Sequence, residues 1–340
     1  MTVPVYWLTN HAEISAHGPW DTSILDDLFD GKLWRHGWTF EHHSNVDHIA
    51  PGVERAIVVL PARHHTSDVD IEWLNTQLAK LRGCILILAG DEEGMFPWKR
   101  ILHENCRFWV QHPSLTTHID MDWAFFYGCG DPGRVELDVN APQTLPWSFA
   151  GQATHPRRKE AVNGLIKARR RSRGELLPTA GFRQGMERED YLTQLRTTRV
   201  APCPAGPFTP DTFRFYEALN SGCYPIVDAR SPGAALGYWQ KVYGVDFPFP
   251  IVDDWEIVGG HIETALKRWP VPALEAGSWW VRTRRKMVDQ LNHDLNGIGI
   301  ERDATHWSDD VTIVMTTSPV PVHPSTDDTL FTLDSVYESM

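Results

Sequence analysis

Arg214 and Glu217 stand three positions apart in FRFYEALN, residues 213–220, a short run with apolar residues at helical spacing. Residues three apart on a helix share a face, so this pair sets a cation beside a carboxylate. The cation suits a phosphate, and the carboxylate can bridge ribose hydroxyls. A capped helix with a stabilising Arg–Glu pair is the plainer reading of the same spacing. Just upstream, Pro204-Ala205-Gly206-Pro207 forms a loop whose glycine lets the backbone approach a ligand closely. Asp211 or Thr212 then stands where a helix N-cap belongs.

Such a pair needs a strand before it and a strand after it. Residues 198–203 and 224–228 read as short buried strands on either side of the helix at 212–220. The same alternation runs along the whole chain. Strands are expected at 3–9, 56–61, 84–90, 106–111 and 147–151, and helices at 21–29, 68–83, 157–173, 188–196 and 279–295. A strand-like patch covers 176–182, and further elements follow at 245–252 and 261–269. Apolar runs alternating with helices imply a parallel sheet covered on both faces, an α/β fold. In such sheets ligands collect where strand C-termini lead into helices, whose free N–H groups favour anions. A polar stretch with two prolines at 138–146 divides the chain. The expected domains are 1–145, 146–300 and a tail at 301–340, the first two being Rossmann-like and facing each other across a cleft.

Composition limits what the motifs can mean. The 340 residues are 42% hydrophobic and include 15 tryptophans, enough for two cores. No apolar run is long enough to span a membrane, and the N-terminus lacks a basic start and a long apolar core, so a soluble cytoplasmic protein is expected. Five scattered cysteines without a C-x-x-C pair point to reduced thiols. The histidine clusters at 41–48 and 63–65 read as loops without the i,i+4 spacing of a metal site. Net charge is −12, yet residues 151–200 carry twelve Lys and Arg against five acids, a local excess of +7. That segment is either a solvated helix face or a site for phosphates.

The order and spacing of SFAGQ with the arginines at 157 and 158, of YLTQLRTTRVAPCPAG, and of DTFRFYEALNSGCYPIV resemble the C-terminal signature of exostosin-like glycosyltransferases. The likeness covers residues 147–228, with GPWD at 18–21 and AGDEEG at 89–94 weakly similar to related viral and bacterial enzymes. It implies a GT-B fold with the acceptor on the first domain and a nucleotide sugar, a UDP-sugar favoured, on the second. Carried over, Glu217 would contact the ribose, Arg214 and either Arg157 or Arg158 the diphosphate, and Gly206 with Thr212 the phosphate-facing loop. The family resemblance implies no bound metal and no other cofactor, since arginines and a helix terminus neutralise the leaving group. DMD at 120–122 reads as a loop or a helix cap.

An inverting transfer needs a general base, and Asp21, Asp91 and Glu92, with His17 behind them, follow expected strands of the first domain. Asp21 is equally readable as an N-cap and Asp91 as a turn residue, and a retaining transfer needs no such base. The acceptor hydroxyl is open between a hydroxymethylated pyrimidine in DNA, a protein side chain and a glycan. Basic residues at 157–173 and at 282–286 suit a nucleic-acid backbone. The alternatives are a non-catalytic nucleotide- or carbohydrate-binding module and a dinucleotide-dependent oxidoreductase, the latter lacking any G-x-G-x-x-G after a strand. Residues 311–340 resemble the opening strand and helix of a family 2-like GT-A glycosyltransferase, or pack back on the first domain.

Overall fold

The structure, a computed structural model, describes residues 2–8, 38–61, 70–89, 94–111, 113, 123–126, 143–181, 185–231 and 237–301. Two parallel sheets dominate it, and their strands are short apolar runs. In β4 (Gly83–Ala89, GCILILA) every residue is buried, as a central strand covered on both faces requires. Around it lie β1 (Thr2–Leu8), β2 (Thr39–Val46), β3 (Arg55–Pro61), β5 (Cys106–Gln111) and β6 (Trp123–Phe126), in the order β2-β1-β3-β4-β5-β6. All adjacent pairs are parallel. Helix α1 (Ile71–Leu78) crosses from β3 to β4, and the Asp70 carboxylate caps it by accepting from the N–H groups of Glu72 and Trp73, both at 3.0 Å.

The second sheet contains β7 (Leu145–Gln152), β8 (Glu175–Thr179), β9 (Thr198–Cys203), β10 (Tyr224–Asp228) and the two-residue β11 (Ile251–Val252). Its order, β8-β7-β9-β10-β11, repeats the first: the second strand lies on one side of the first strand and the third on the other. The crossovers hold α2 (Pro156–Ala168), α3 (Arg188–Thr197), α4 (Phe213–Asn220) and α5 (Tyr238–Tyr243). Two more helices follow, α6 (Val258–Lys267) and the 27-residue α7 (Val271–Gly297). The fold is therefore two parallel-sheet α/β domains, as the alternation of elements predicts.

Helix α7 joins the two sheets. Near its start Trp279 and Trp280 are buried, and Trp280 Nε1 donates to Asn220 Oδ1 at 2.8 Å, at the end of α4. Near its end the Asp294 carboxylate accepts from Trp109 Nε1 of β5 at 2.7 Å, and Asn292 accepts from Trp38 Nε1 at 2.7 Å. One contiguous core accordingly holds Val3, Val5, Ile57, Ile85 and Trp109 of the first sheet together with Phe149, Val200 and Phe215 of the second half and Leu291 of α7.

Two sequence expectations are corrected. Residues 39–46 form edge strand β2 and not a loop, with the His42 and His43 rings set against β1: His42 Nδ1 accepts from Trp7 Nε1 at 3.2 Å, and His43 stacks on Tyr6 at 4.5 Å. Its histidines and asparagine interrupt the apolar pattern, and pairing with Tyr6 and Trp7 adds to the β1 ladder and to the packing of Phe40 and Val46 in holding the strand. The short strand β6 has no counterpart in the sequence reading. The last helix begins at Val271 and not at 279, since Pro272 is tolerated in a first turn that needs no N–H donor. The helix expected at 21–29, the motif DMD and the tail at 311–340 lie outside the described residues.

Candidate functional site

In a doubly wound sheet the chain departs in opposite directions from the C-terminal ends of two adjacent strands, which leaves a crevice between the connections. In the second sheet those strands are β7 and β9. Helix α2 follows β7 and helix α4 follows β9, so the residues at these two exits define the site.

Arg214, in the first turn of α4, reaches back over the end of β7. Its Nη2 donates to the Ala150 carbonyl in a short contact, and its guanidinium carbon sits 4.6 Å from the Phe149 ring centre and 5.4 Å from that of Tyr191. The neighbouring Gly151 makes room for it: a Cβ there would lie 2.4 Å from Arg214 Nη2. The other terminal nitrogen, Nη1, is sealed from solvent and has no hydrogen-bond partner. One turn on, Glu217 Oε2 accepts from the Tyr191 hydroxyl at 2.9 Å. Burial holds that phenol well above its ordinary pKa, against the Arg214 charge and with Glu217 adding to the effect, so it stays protonated and donating. Cys203, which ends β9 nearby, has its thiol pushed up to about 12 by burial, so it is no thiolate nucleophile at neutral pH.

The α2 entrance forms the opposite wall. His155 occupies its N-cap position and Arg158 its first turn. Both bind the same acceptor, the Ala205 carbonyl after β9, His155 through Nε2 at 3.1 Å and Arg158 through Nε at 3.0 Å. A carbonyl only accepts, so the His155 proton resides on Nε2 and Nδ1 is left as an acceptor, sealed and without a partner. Burial first, and then the Arg158 charge, lowers the His155 pKa.

Arg157 has a different place. Its Nε and Nη2 bind Asp228 Oδ1 at 2.8 and 2.6 Å, Nη2 also meets the carbonyls of Val252 and Asp253, and Nη1 binds Glu160 at 2.7 Å. It is only 6% exposed. Of the two arginines left open by the sequence, Arg157 is therefore taken up inside the domain, and Arg158 is the one at the crevice. Asp228, fully buried at the end of β10, also accepts from the Ala205 N–H at 3.2 Å and from Trp255 Nε1 at 2.9 Å.

The loop from 204 to 212 is bonded within its own domain. The Gly206 N–H donates inward to the Thr209 carbonyl at 3.0 Å, so the loop closes on itself and does not offer that N–H to a phosphate. Asp211 does not cap α4, because its carboxylate accepts from the hydroxyls of Tyr216 and Tyr238, both at 2.8 Å. Thr212 holds the N-cap position with extended backbone and makes no side-chain capping bond, and its Oγ1 is sealed and unpartnered.

The structure thus brings Arg158, Arg214, Glu217 and Thr212 to one strand-end crevice. Sequence reasoning missed His155, Tyr191 and Asp228. Asp228 alone carried a signal, a carboxylate ending an apolar strand. Asp21, Asp91, Glu92 and His17 lie outside the described residues. Among the described residues no group of three or more His, Cys, Asp and Glu could hold a metal ion, and no helix is long and apolar enough to cross a membrane.

No protein-family profile matches the chain, and no curated protein does. Among solved structures it is similar to phage T4 BGT in complex with its UDP-glucose substrate, at 10% identity and a TM-score of 0.44 over 88% of this chain and 100% of that one. It is also similar to an alpha1,3-fucosyltransferase, at 9% identity and a TM-score of 0.46 over 87% and 90% of the two chains. Likeness at this level does not by itself assign an activity.

Proposed function

We propose that the chain is a glycosyltransferase of GT-B type that holds a nucleotide sugar, a UDP-sugar favoured, at the switch point between β7 and β9. One observation carries this reading: three buried polar atoms without partners, His155 Nδ1, Thr212 Oγ1 and Arg214 Nη1, belong to residues of this single crevice, beside Arg158 and Glu217. Buried polar atoms are rarely left unpaired, and a cluster of them calls for a ligand or ordered water. Two arginines suit a diphosphate, and a carboxylate suits vicinal ribose hydroxyls.

In the proposed reaction an acceptor hydroxyl oxygen forms a bond to the anomeric carbon while the bond from that carbon to the phosphate oxygen breaks. The nucleoside diphosphate leaves with the electron pair, stabilised by Arg158 and Arg214. In an inverting transfer the hydroxyl proton passes to a base, and we assign that role to one of Asp21, Asp91 and Glu92, which follow β1 and β4 in sequence. The positive charge comes from the protein in this reading, with no metal or other cofactor. The acceptor is a hydroxymethylated pyrimidine in DNA, a protein or a glycan. A DNA acceptor would show affinity falling steeply with salt.

The test is thermal unfolding with UDP, GDP, ADP, CMP and their sugar conjugates, with and without Mg²⁺, for the wild type and Glu217→Ala. Ligand at 100 times its dissociation constant should add about 2.7 kcal/mol of stability. A shift with one nucleotide, independent of Mg²⁺ and lost in the variant, is expected. No shift with any nucleotide in folded protein overturns the reading.

A further inference from the structure

Tyr191 comes from α3, outside the segment that carries Arg214 and Glu217, yet it touches both. Its hydroxyl donates to Glu217 Oε2 at 2.9 Å, and the Arg214 guanidinium carbon lies 5.4 Å from its ring centre. A second ring, Phe149 at 4.6 Å, also contacts that guanidinium. A carboxylate one turn from an arginine on the same helix would ordinarily swing toward it, because opposite charges three apart attract. Among the described residues Arg214 and Glu217 form no ion pair with each other. Instead the phenol binds the carboxylate while the aromatic ring and the Ala150 carbonyl hold the guanidinium.

Resting on the nucleotide reading above, we propose that Tyr191 is a positioning residue that fixes the Glu217 carboxylate apart from Arg214, and that through it the site distinguishes a ribonucleotide from its 2′-deoxy counterpart. A carboxylate free to pair with Arg214 would lose its geometry for vicinal hydroxyls and would neutralise a charge meant for the diphosphate. Held by the phenol, Glu217 keeps acceptor capacity for the ribose while Arg214 keeps its charge. A site built around a ligand hydroxyl discriminates strongly against the analogue lacking it, since the buried partner is then left unpaired.

The experiment measures UDP and 2′-deoxy-UDP affinity by calorimetry for the wild type, Tyr191→Phe and Glu217→Gln, or the GDP pair if the nucleotide screen selects guanine. The phenylalanine variant keeps the ring beside Arg214 and removes only the hydroxyl. The wild type should prefer UDP about tenfold or more. In Tyr191→Phe, UDP should weaken about tenfold while 2′-deoxy-UDP stays within about twofold, so the preference collapses. Combining Tyr191→Phe with Glu217→Gln should weaken UDP no further than Glu217→Gln alone, because the two act as one unit. A preference that survives in Tyr191→Phe overturns the role of Tyr191 and leaves the Glu217 reading standing. UDP binding without any preference in the wild type overturns the assignment of Glu217 to ribose, and the role of Tyr191 with it. Should Tyr191→Phe fail to fold, Glu217→Asp, which draws the carboxylate back from the phenol, must lose the preference, and a preference retained there overturns the proposal.

Discussion

Gly151 and Arg214 are separated by 63 positions, yet one exists for the other. An alanine at 151 would place Cβ 2.4 Å from the Arg214 guanidinium, the far end of a flexible side chain that can move aside. Gly151→Ala should therefore cost about 1 kcal/mol of stability or less, while nucleotide affinity falls about tenfold or more as Arg214 leaves its place over Phe149. At Gly174 the obstacle is the buried Trp147 ring, which a Cβ would meet at 2.1 Å, and it cannot yield so readily. Gly174→Ala should cost about 1–3 kcal/mol through overpacking. Urea unfolding and calorimetric titration of both variants check this contrast, and equal stability losses would refute it. His155 gives the residue scale its pH dependence. Its folded pKa lies below the ordinary 6.5, so on unfolding the ring takes up a proton at mildly acid pH. Stability is thus complete above about 6.5 and falls as pH drops toward the folded value, by up to about 1.4 kcal/mol per pH unit. Urea midpoints from pH 7.5 to 5 should fall more for wild type than for His155→Gln, and parallel curves would count against it. Arg214 and Glu217 were legible because their spacing is local, one helical turn. His155 and Tyr191 were not, because their roles depend on a carbonyl 50 residues away and a carboxylate 26 residues away.

At the scale of elements, the buried pair of Arg157 and Asp228 holds four segments in register: the start of α2, the end of β10, the loop at Ala205, and the turn bearing Trp255. Removing one partner of a buried pair leaves the other charged and unpaired, which costs about 3–5 kcal/mol. Arg157→Ala should lose that much in urea unfolding. Arg158→Ala, which removes a hydrogen bond to the Ala205 carbonyl, should lose under about 1.5 kcal/mol of stability but substantially weaken diphosphate binding. Similar stability losses in the two variants would show that the sequence was right to treat neighbouring arginines as interchangeable. The central strands were legible element by element: β5, β9 and β10 match their apolar runs residue for residue. Edge strand β2 was not, since histidines that stack on Tyr6 and bond to Trp7 stand where an apolar pattern would have announced it. The N-cap of α4 misled for a related reason. Asp211 is a good capping residue by type, but two tyrosine hydroxyls from α4 and α5 claim its carboxylate first.

The molecule as a whole is joined by its last described helix. A second sheet that repeats the topology of the first could fold as an independent unit, and the sequence, read as alternating elements with a polar linker, gives no reason to expect otherwise. Helix α7 changes that, because its early tryptophans complete the core beside α4 while its later residues accept hydrogen bonds from Trp38 and Trp109 of the first half. With one of the two hydrophobic clusters running through both sheets, neither half can unfold fully without exposing apolar surface of the other. Scanning calorimetry should show one transition whose calorimetric and van't Hoff enthalpies agree. Asp294→Ala should remove the carboxylate that accepts from the buried indole N–H of Trp109 and lower stability by about 1–3 kcal/mol, with the transition still single. The sharper outcome concerns ligand linkage: a nucleotide bound at the β7 and β9 crevice, entirely within the second half, should raise the unfolding temperature of the whole protein. Two resolved transitions with only the second moved by nucleotide would mean that the halves are thermodynamically separate and that α7 is a tether. A single transition moved as one means that the two halves unfold as one cooperative unit, so that nucleotide bound to the second half protects the first from unfolding as well.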